Sequence, residues 1–138
     1  MAFVLDCSVT MAWVFPDEAT EATNALLESL AEGNALVPSL WPVEVGNVLL
    51  MGIRRGRVAM EERSRIREIL EALPIRIDQV SLPRVLGASL SLAHRHELSL
   101  YDAMYLELAI RMRMPLATLD RALGAAGRAA GIEVLGYT

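Results

Sequence analysis

The sequence predicts an α/β domain built around a mostly parallel sheet. Short apolar runs bounded by turn residues alternate with longer segments whose apolar residues recur at helical spacing. Strands that are separated by helices pair in parallel and are covered by helices on both faces. A chain of 138 residues can bury a real core, and no linker or repeat divides it, so we expect one domain over residues 1–138.

Five short apolar runs are predicted to be strands. The first, Ala2-Phe3-Val4-Leu5-Asp6, is too short and too continuous for an amphipathic helix. The second and third follow Gly33 and Pro74, which end the helices before them. The predicted strands cover residues 2–6, 35–37, 75–77, 115–119 and 132–135.

The helices are predicted from amphipathic spacing and from residues that begin or end a helix. Ser8 is the expected N-cap of the first helix, and Pro16 ends that helix before a second one opens. Pro42 suits the first turn of the third helix, and Ser99 is expected to cap the helix before the fourth strand. The predicted helices cover residues 8–14, 17–31, 41–55, 61–73, 82–96, 99–112 and 121–130.

Composition restricts the classes of function. A net charge of −4 argues against a protein that coats nucleic acid generally. The lone Cys7 cannot form an internal disulfide and fits a reducing cytoplasm. No uncharged stretch is long enough to cross a bilayer, so the 54% apolar composition predicts a protein partner or a homodimer. We therefore expect a cytoplasmic protein without membrane contact.

The basic residues are unusual in type and in distribution. All 13 are arginine, and without lysine the chain cannot form a Walker P-loop. No G-x-G-x-x-G motif follows a strand, so a dinucleotide fingerprint is absent as well. A stripe of six arginines runs from Arg54 to Arg67 and either binds a phosphate backbone or forms a solvated helix face with neighbouring glutamates. The candidate phosphate contacts are Arg54, Arg55 and Arg57.

Four acidic side chains are expected at the carboxyl edge of the sheet. Asp6 and Asp120 follow predicted strands, and Glu44 and Asp102 lie in the first turns of predicted helices. Taken singly, each can cap a helix or complement its dipole. Glu44, however, stands on an otherwise apolar face with Asn47 one turn later, where an unpaired charge is costly. Because neighbouring carboxylates repel each other unless protons or cations lie between them, the set predicts a divalent metal site.

The kinds of residue at this edge favour a hard metal ion. Oxygen ligands from aspartate and glutamate suit Mg²⁺ or Mn²⁺ rather than zinc. His94 and His96 are two residues apart on one helix, so they point to different sides. Cys7 has no adjacent histidine to activate it, so a structural role is favoured over a nucleophilic one.

Several short motifs recur in a fixed order along the chain. They are Asp6-x-Ser8, Trp13-Val14 followed by Pro16-Asp17-Glu18, Glu44-x-x-Asn47, Tyr101-Asp102-Ala103-x-Tyr105-Leu106 and Leu116-Ala117-Thr118-Leu119-Asp120. Together they resemble PIN domains and, more narrowly, the VapC-type toxins of bacterial toxin–antitoxin pairs. The resemblance covers essentially the whole chain. It implies a PIN-like three-layer sandwich with a mostly parallel five-stranded sheet flanked by helices.

The resemblance also implies an activity. It implies a Mg²⁺-dependent endoribonuclease toxin, with Mn²⁺ able to substitute, that has an RNA substrate and a cognate antitoxin protein. The implied acidic quartet is Asp6, Glu44, Asp102 and Asp120. Asp6 and Asp102 are expected to bind the metal directly, and Glu44 and Asp120 to bind a second ion or to reach the first through water. The accessory polar positions are Ser8, Asn47 and Thr118, which would orient carboxylates, water or phosphate.

Two other functions are compatible with the same residues. One is a structure-specific, metal-dependent DNase, although the chain has no basic arch insertion. The other is a non-catalytic PIN module that holds a partner protein, against which an intact acidic quartet weighs. For a partner, we expect an apolar groove walled by the second helix and the Trp41–Arg55 helix, with Trp13 near its floor.

Overall fold

A computed structural model of the chain describes residues 1–137, which form a five-stranded sheet in the order β3-β2-β1-β4-β5. Every pair of neighbouring strands is parallel, which confirms the predicted sheet. The strands are β1 (Ala2–Leu5), β2 (Asn34–Pro38), β3 (Ile75–Asp78), β4 (Leu116–Ala117) and β5 (Val134–Leu135).

Helices flank the sheet and account for most of the chain. The α-helices are α1 (Cys7–Val14), α2 (Glu21–Ser29), α3 (Trp41–Arg54), α4 (Arg63–Glu71), α5 (Leu82–Arg84), α6 (Leu90–His96), α7 (Leu100–Met112) and α8 (Arg121–Ala129). A π-helical segment, Val85–Ser89, joins α5 to α6. Short 3₁₀ turns cover Pro16–Glu18, Leu30–Glu32 and Met60–Glu62. No helix within residues 1–137 combines the length and the apolarity that crossing a bilayer requires.

Four local predictions differ from the structure, and one is the strand predicted over 132–135, which contains only Val134–Leu135. The helix predicted over 17–31 is divided, because Thr20 begins α2 with a reciprocal capping box in which Thr23 N–H donates to Thr20 Oγ1 at 3.1 Å. The strand predicted over 115–119 contains only Leu116–Ala117. Ser8 does not cap α1, because α1 already begins at Cys7 and the Ser8 hydroxyl donates to Asp6 instead.

The strand order creates a switch point in the middle of the sheet. From β1 the chain proceeds outward to β2 and β3 on one side, whereas β4 and β5 lie on the other side of β1. The backbone N–H of Asp6 donates to the Ala117 carbonyl at 3.0 Å, so the ends of β1 and β4 lie side by side. Ligands of open parallel sheets bind outside the carboxyl ends of strands at such a point.

Helix α7 crosses the centre of the molecule. All seven residues from Ala103 to Ala109 are buried, so the helix contacts protein on every side. Its apolar residues pack with those of β1, β2 and β4 in one core. The N-terminal turn of α7 carries Asp102, so the position of this acidic residue depends on the packing of the core helix.

A partly buried ion network fixes the other end of α7. Glu107 is only 7% exposed and accepts a hydrogen bond from Arg111 Nε at 2.8 Å. Arg111 Nη2 also donates to Asp78 at the end of β3, at 2.7 Å. Arg84 of α5 lies 3.6 Å from both Glu107 and Asp78. The network therefore ties α5, α7 and the edge strand β3 together.

An apolar cleft of about 380 Å³ lies between α3 and α4, with Trp41, Val45 and Ile66 among its lining residues. The sequence had instead predicted a groove walled by α2 and α3, so α4 replaces α2 as the second wall. Trp13 is not at the floor of the cleft, because its indole N–H donates to the Thr23 carbonyl at 2.8 Å and joins α1 to α2.

We predict that Arg111→Ala will lower the free energy of unfolding by about 2–3 kcal/mol, because Glu107 would remain buried with only the more distant Arg84 as a counter-charge. Urea denaturation at neutral pH measures this change. Arg67→Ala is the matched control, since its ion pair with Glu71 is exposed on both sides and should contribute little. Equal effects of the two substitutions would contradict the structural role of the network.

Candidate active site

The four acidic residues predicted from the sequence line one cleft of about 340 Å³. The cleft lies at the carboxyl edge of the sheet, where α1, α3, α7 and α8 begin. Ser8 and Asn47 line it as well, and so does one acidic residue that the sequence analysis did not select, Glu18. The complete lining is Asp6, Cys7, Ser8, Met11, Glu18, Glu44, Asn47, Val48, Asp102 and Asp120.

Asp6 is the most enclosed of these acids, at 5% exposure. It occupies the residue between β1 and α1, and its side chain does not cap α1. Its Oδ2 atom accepts hydrogen bonds from Ser8 Oγ at 2.7 Å and from Thr118 Oγ1 at 2.8 Å. Burial raises the pKa of Asp6, and the two hydroxyl donors act in the opposite direction.

The two hydroxyl groups are themselves held by backbone donors. The N–H of Leu119 donates to Ser8 Oγ at 2.9 Å, and the N–H of Asp120 donates to Thr118 Oγ1 at 3.0 Å. Because a hydroxyl has one hydrogen, these backbone donors leave each hydroxyl hydrogen free to point at Asp6. The loop after β4 thus orients the carboxylate after β1.

Glu44 and Asn47 approach the cleft from α3. Glu44 lies in the first turn of that helix and is partly buried, whereas Asn47 is exposed one turn later. Glu44 Oε1 accepts a short hydrogen bond from the Tyr105 hydroxyl of α7. Burial raises the pKa of Glu44, the Tyr105 hydrogen bond lowers it, and the charge of Asp6 raises it.

Asp102 and Asp120 complete the acidic set, and both lie at helix N-termini. The N-cap of α7 is Ser99, whose hydroxyl accepts from the Asp102 N–H at 3.1 Å. Asp120 caps α8 with one of its own oxygens, which accepts from the Leu123 N–H at 3.0 Å. Asp120 therefore acts as a helix cap through its Oδ1 atom. The same residue also lines the cleft.

Burial and the charges of three neighbouring acids all act on Asp102. Burial, followed by the charges of Asp6, Asp120 and Glu44, raises its pKa to about 6. The acids are thus close enough to influence each other's ionisation. Burial also raises the pKa of Cys7, to about 12, so its thiol is protonated at neutral pH and is a poor nucleophile.

The residues fit a hard divalent cation by donor chemistry. The cleft offers carboxylate oxygens and the amide of Asn47, which are the ligands that Mg²⁺ and Mn²⁺ prefer. Within residues 1–137, no three His, Cys, Asp or Glu side chains are arranged closely enough to enclose an ion. An ion bound in the cleft would offset the repulsion between these carboxylates.

Two residues of the cleft region were missed by the sequence analysis. Tyr105 is fully buried, and its hydroxyl donates a hydrogen bond to Glu44. Its position three residues after Asp102, on the same side of a helix, is the signal that could have identified it. Glu18 belongs to the Pro16-Asp17-Glu18 motif, but no local sequence pattern indicates that a residue after a proline turn faces the cleft.

With this fold and this cleft, the chain belongs to the PIN domain family, whose model matches residues 3–129. It is 32% identical over 123 residues to Ribonuclease VapC3 of Pyrobaculum aerophilum, covering 89% of this chain and 92% of that protein. It is also 32% identical over 125 residues to Ribonuclease VapC1 of Mycobacterium tuberculosis, covering 88% and 90%.

Solved structures show the same fold at lower identity. A crystal structure of a Pyrobaculum aerophilum protein superposes with a TM-score of 0.69 at 23% identity, covering 91% of this chain and 84% of that one. VapBC2 of Rickettsia felis, solved with a DNA fragment from its promoter, gives a TM-score of 0.66 at 14% identity and covers 97% of both chains. The architecture implied by the sequence motifs is confirmed.

We predict that Asp102→Asn will stabilise the metal-free protein at neutral pH. Because the pKa of Asp102 is raised in the folded state, Asp102 binds a proton more tightly there than in the unfolded chain. Its favourable contribution to the free energy of unfolding is therefore present below about pH 4 and is lost as the pH rises to about 6. Since the group is only half buried, we expect a gain of about 1 kcal/mol at pH 7 and almost none at pH 4. Ser99 remains the N-cap in the variant.

Urea denaturation in EDTA at both pH values measures the difference between Asp102→Asn and the natural chain. Glu28→Gln, which changes an exposed acid of α2 outside the cleft, is the control. An Asp102→Asn effect that is the same at both pH values would be inconsistent with a raised pKa of Asp102 in the folded protein.

Proposed function

We propose that this protein is a metal-dependent endoribonuclease and the toxin component of a toxin–antitoxin pair. The observation that carries the proposal is the buried Asp6 carboxylate, held by two hydroxyl donors in a cleft that it shares with Glu44, Asp102 and Asp120. The two curated relatives described above are named ribonucleases, and their matches extend over most of both chains.

The proposed metal is Mg²⁺, with Mn²⁺ as a substitute. Asp6 and Asp102 would hold it directly. Glu44 and the free oxygen of Asp120 would hold a second ion or accept hydrogen bonds from bound water. When bound, the ion neutralises charge on the phosphate and lowers the pKa of a water molecule.

The protein's own residues have distinct proposed roles around that ion. Ser8 and Thr118 keep Asp6 in one orientation, and Tyr105 does the same for Glu44. A carboxylate that does not bind metal would orient the attacking water and accept its proton. Asn47 is exposed at the cleft and can donate its amide to a phosphate oxygen.

A protein partner is part of the proposal. We infer an antitoxin segment and a homodimer, because the cleft between α3 and α4 is apolar and several large apolar side chains elsewhere are exposed. A toxin–antitoxin complex from Klebsiella pneumoniae has the same fold, with a TM-score of 0.57 at 19% identity. An arginine from such a segment could neutralise the acidic cleft as a metal ion would.

The first test is cleavage of a single-stranded RNA by the natural chain in Mg²⁺ and in EDTA. We predict cleavage only with the ion, and a loss of at least about 100-fold in Asp6→Asn and in Asp102→Asn, because each removes one charged ligand. Glu28→Gln, outside the cleft, should cleave normally. Cleavage in EDTA, or full activity in both cleft variants, would contradict the proposal. A DNA strand of the same sequence tests the alternative substrate.

The second test concerns the path of the RNA. Arg54, Arg55 and Arg57 were candidates from sequence, but Arg57 already pairs with Asp17 and Glu18, so Arg54 and Arg55 are the stronger candidates. We predict that replacing both Arg54 and Arg55 with alanine, in the Asp102→Asn background, will make RNA binding less dependent on salt. The slope of the logarithm of the binding constant against the logarithm of the salt concentration should decrease in magnitude by about 0.7 per lost contact. Arg128→Ala is the control. An unchanged slope would exclude these two residues from the RNA path.

A further inference from the structure

Glu18 places a fifth carboxylate at the acidic cleft. It is the last residue of the 3₁₀ turn Pro16–Glu18, which follows α1, and its N–H donates to the Phe15 carbonyl at 2.9 Å. Its side chain is 35% exposed and lines the same cleft as the four predicted acids. A carboxylate that shares a cleft with other carboxylates is stabilised by a counter-charge.

Arg57 supplies that counter-charge. Its Nη2 atom lies 2.8 Å from Glu18 Oε2 and donates to both carboxylate oxygens of Asp17, at 2.9 and 2.8 Å. The guanidinium also stacks over the Phe15 ring, 3.9 Å from its centroid. One side chain thus contacts three residues of the segment that carries Glu18.

The backbone after α3 holds Arg57 in this place. Gly56 adopts a left-handed conformation with φ of +74°, which lets the chain reverse directly after the helix. The Arg57 N–H then donates to the Gly52 carbonyl at 2.8 Å. Gly52 lies close to Val58 and Phe15, since a Cβ at this position would be in van der Waals contact with both, at 3.4 and 3.8 Å. The Arg57 position is therefore set by the packing of the α3 end against Phe15.

We propose that Glu18 is a fifth carboxylate of the active site and that Arg57 is the positioning residue that holds it toward the cleft. This inference rests on the proposed metal-dependent function. Mg²⁺ keeps several of its waters when it binds protein, and those waters need hydrogen-bond acceptors beyond the direct ligands. Glu18 is such an acceptor, and Arg57 acts through it rather than by binding RNA.

The test is the affinity for Mn²⁺ alone, measured from the electron paramagnetic resonance signal of free Mn²⁺ during titration. We expect Glu18→Gln and Arg57→Ala each to weaken binding by about 10-fold, the lower end of the range for residues that support metal ligands. The double variant should be no weaker than the weaker single variant, because both changes remove the same interaction. Arg57→Lys, which keeps the charge but lacks the planar fork that contacts Asp17 and Phe15, should recover only part of the affinity.

Arg65→Ala is the matched control, since Arg65 belongs to the same arginine stripe but pairs with Glu62 outside the cleft. It should bind Mn²⁺ like the natural chain. Thermal unfolding of every variant shows that it is folded. Natural Mn²⁺ affinity in Glu18→Gln, or additive losses in the double variant, overturns the assignment to Glu18 and Arg57. Absence of Mn²⁺ binding by the natural chain instead overturns the metal-dependent function itself.

Discussion

The burial of the Asp6 carboxylate is the constraint on which the site depends. A charged group this enclosed is costly unless it is hydrogen-bonded, and each hydrogen bond to a charged group contributes about 1.5–3 kcal/mol. The donors come from Ser8, two residues away, and from Thr118, 112 residues away. Only the pairing of β1 with β4 brings the second donor within reach. The sheet thereby determines the orientation of the acid at its centre.

Helix α7 joins the stability of the core to the geometry of the site. Its middle turns are buried on all sides, and its first turns carry Asp102 and the Tyr105 hydroxyl that contacts Glu44. Its last turn is anchored by Arg111. Because the helix is fixed at both ends, the acidic residue and the phenol hydroxyl are held by core packing rather than by a flexible loop. Such preorganisation is what a site of converging charges requires.

Charge is divided between the inside and the outside of the cleft. Acidic residues line the cleft, and burial followed by their mutual repulsion raises the pKa of Asp102. Arg57 lies outside the cleft and pairs with Glu18 of its lining. Under the proposed function, the cleft would hold a cation while Arg54 and Arg55 stay exposed for a polyanion. A chain with net negative charge can therefore be suited to a nucleic-acid substrate.

The sequence by itself determined the presence of five strands, the succession of strands and helices along the chain, and the four acidic residues at the carboxyl edge. These features depend on local patterns, such as apolar runs, helix-ending glycines and prolines, and acids placed just after strands. Ser8 shows the limit of that reasoning, because as a neighbour of α1 it has the properties of a cap, yet its hydroxyl serves Asp6.

The tertiary structure alone decided which side chains meet. Tyr105 and Glu44 are 61 residues apart, and Arg57 and Asp17 are 40 apart, so no local pattern pairs them. Their contacts follow from strand order and from the packing of α3 and α7 around the cleft. Local propensity fixes where a helix begins, but burial and charge compensation, which depend on distant residues, fix what its side chains bind.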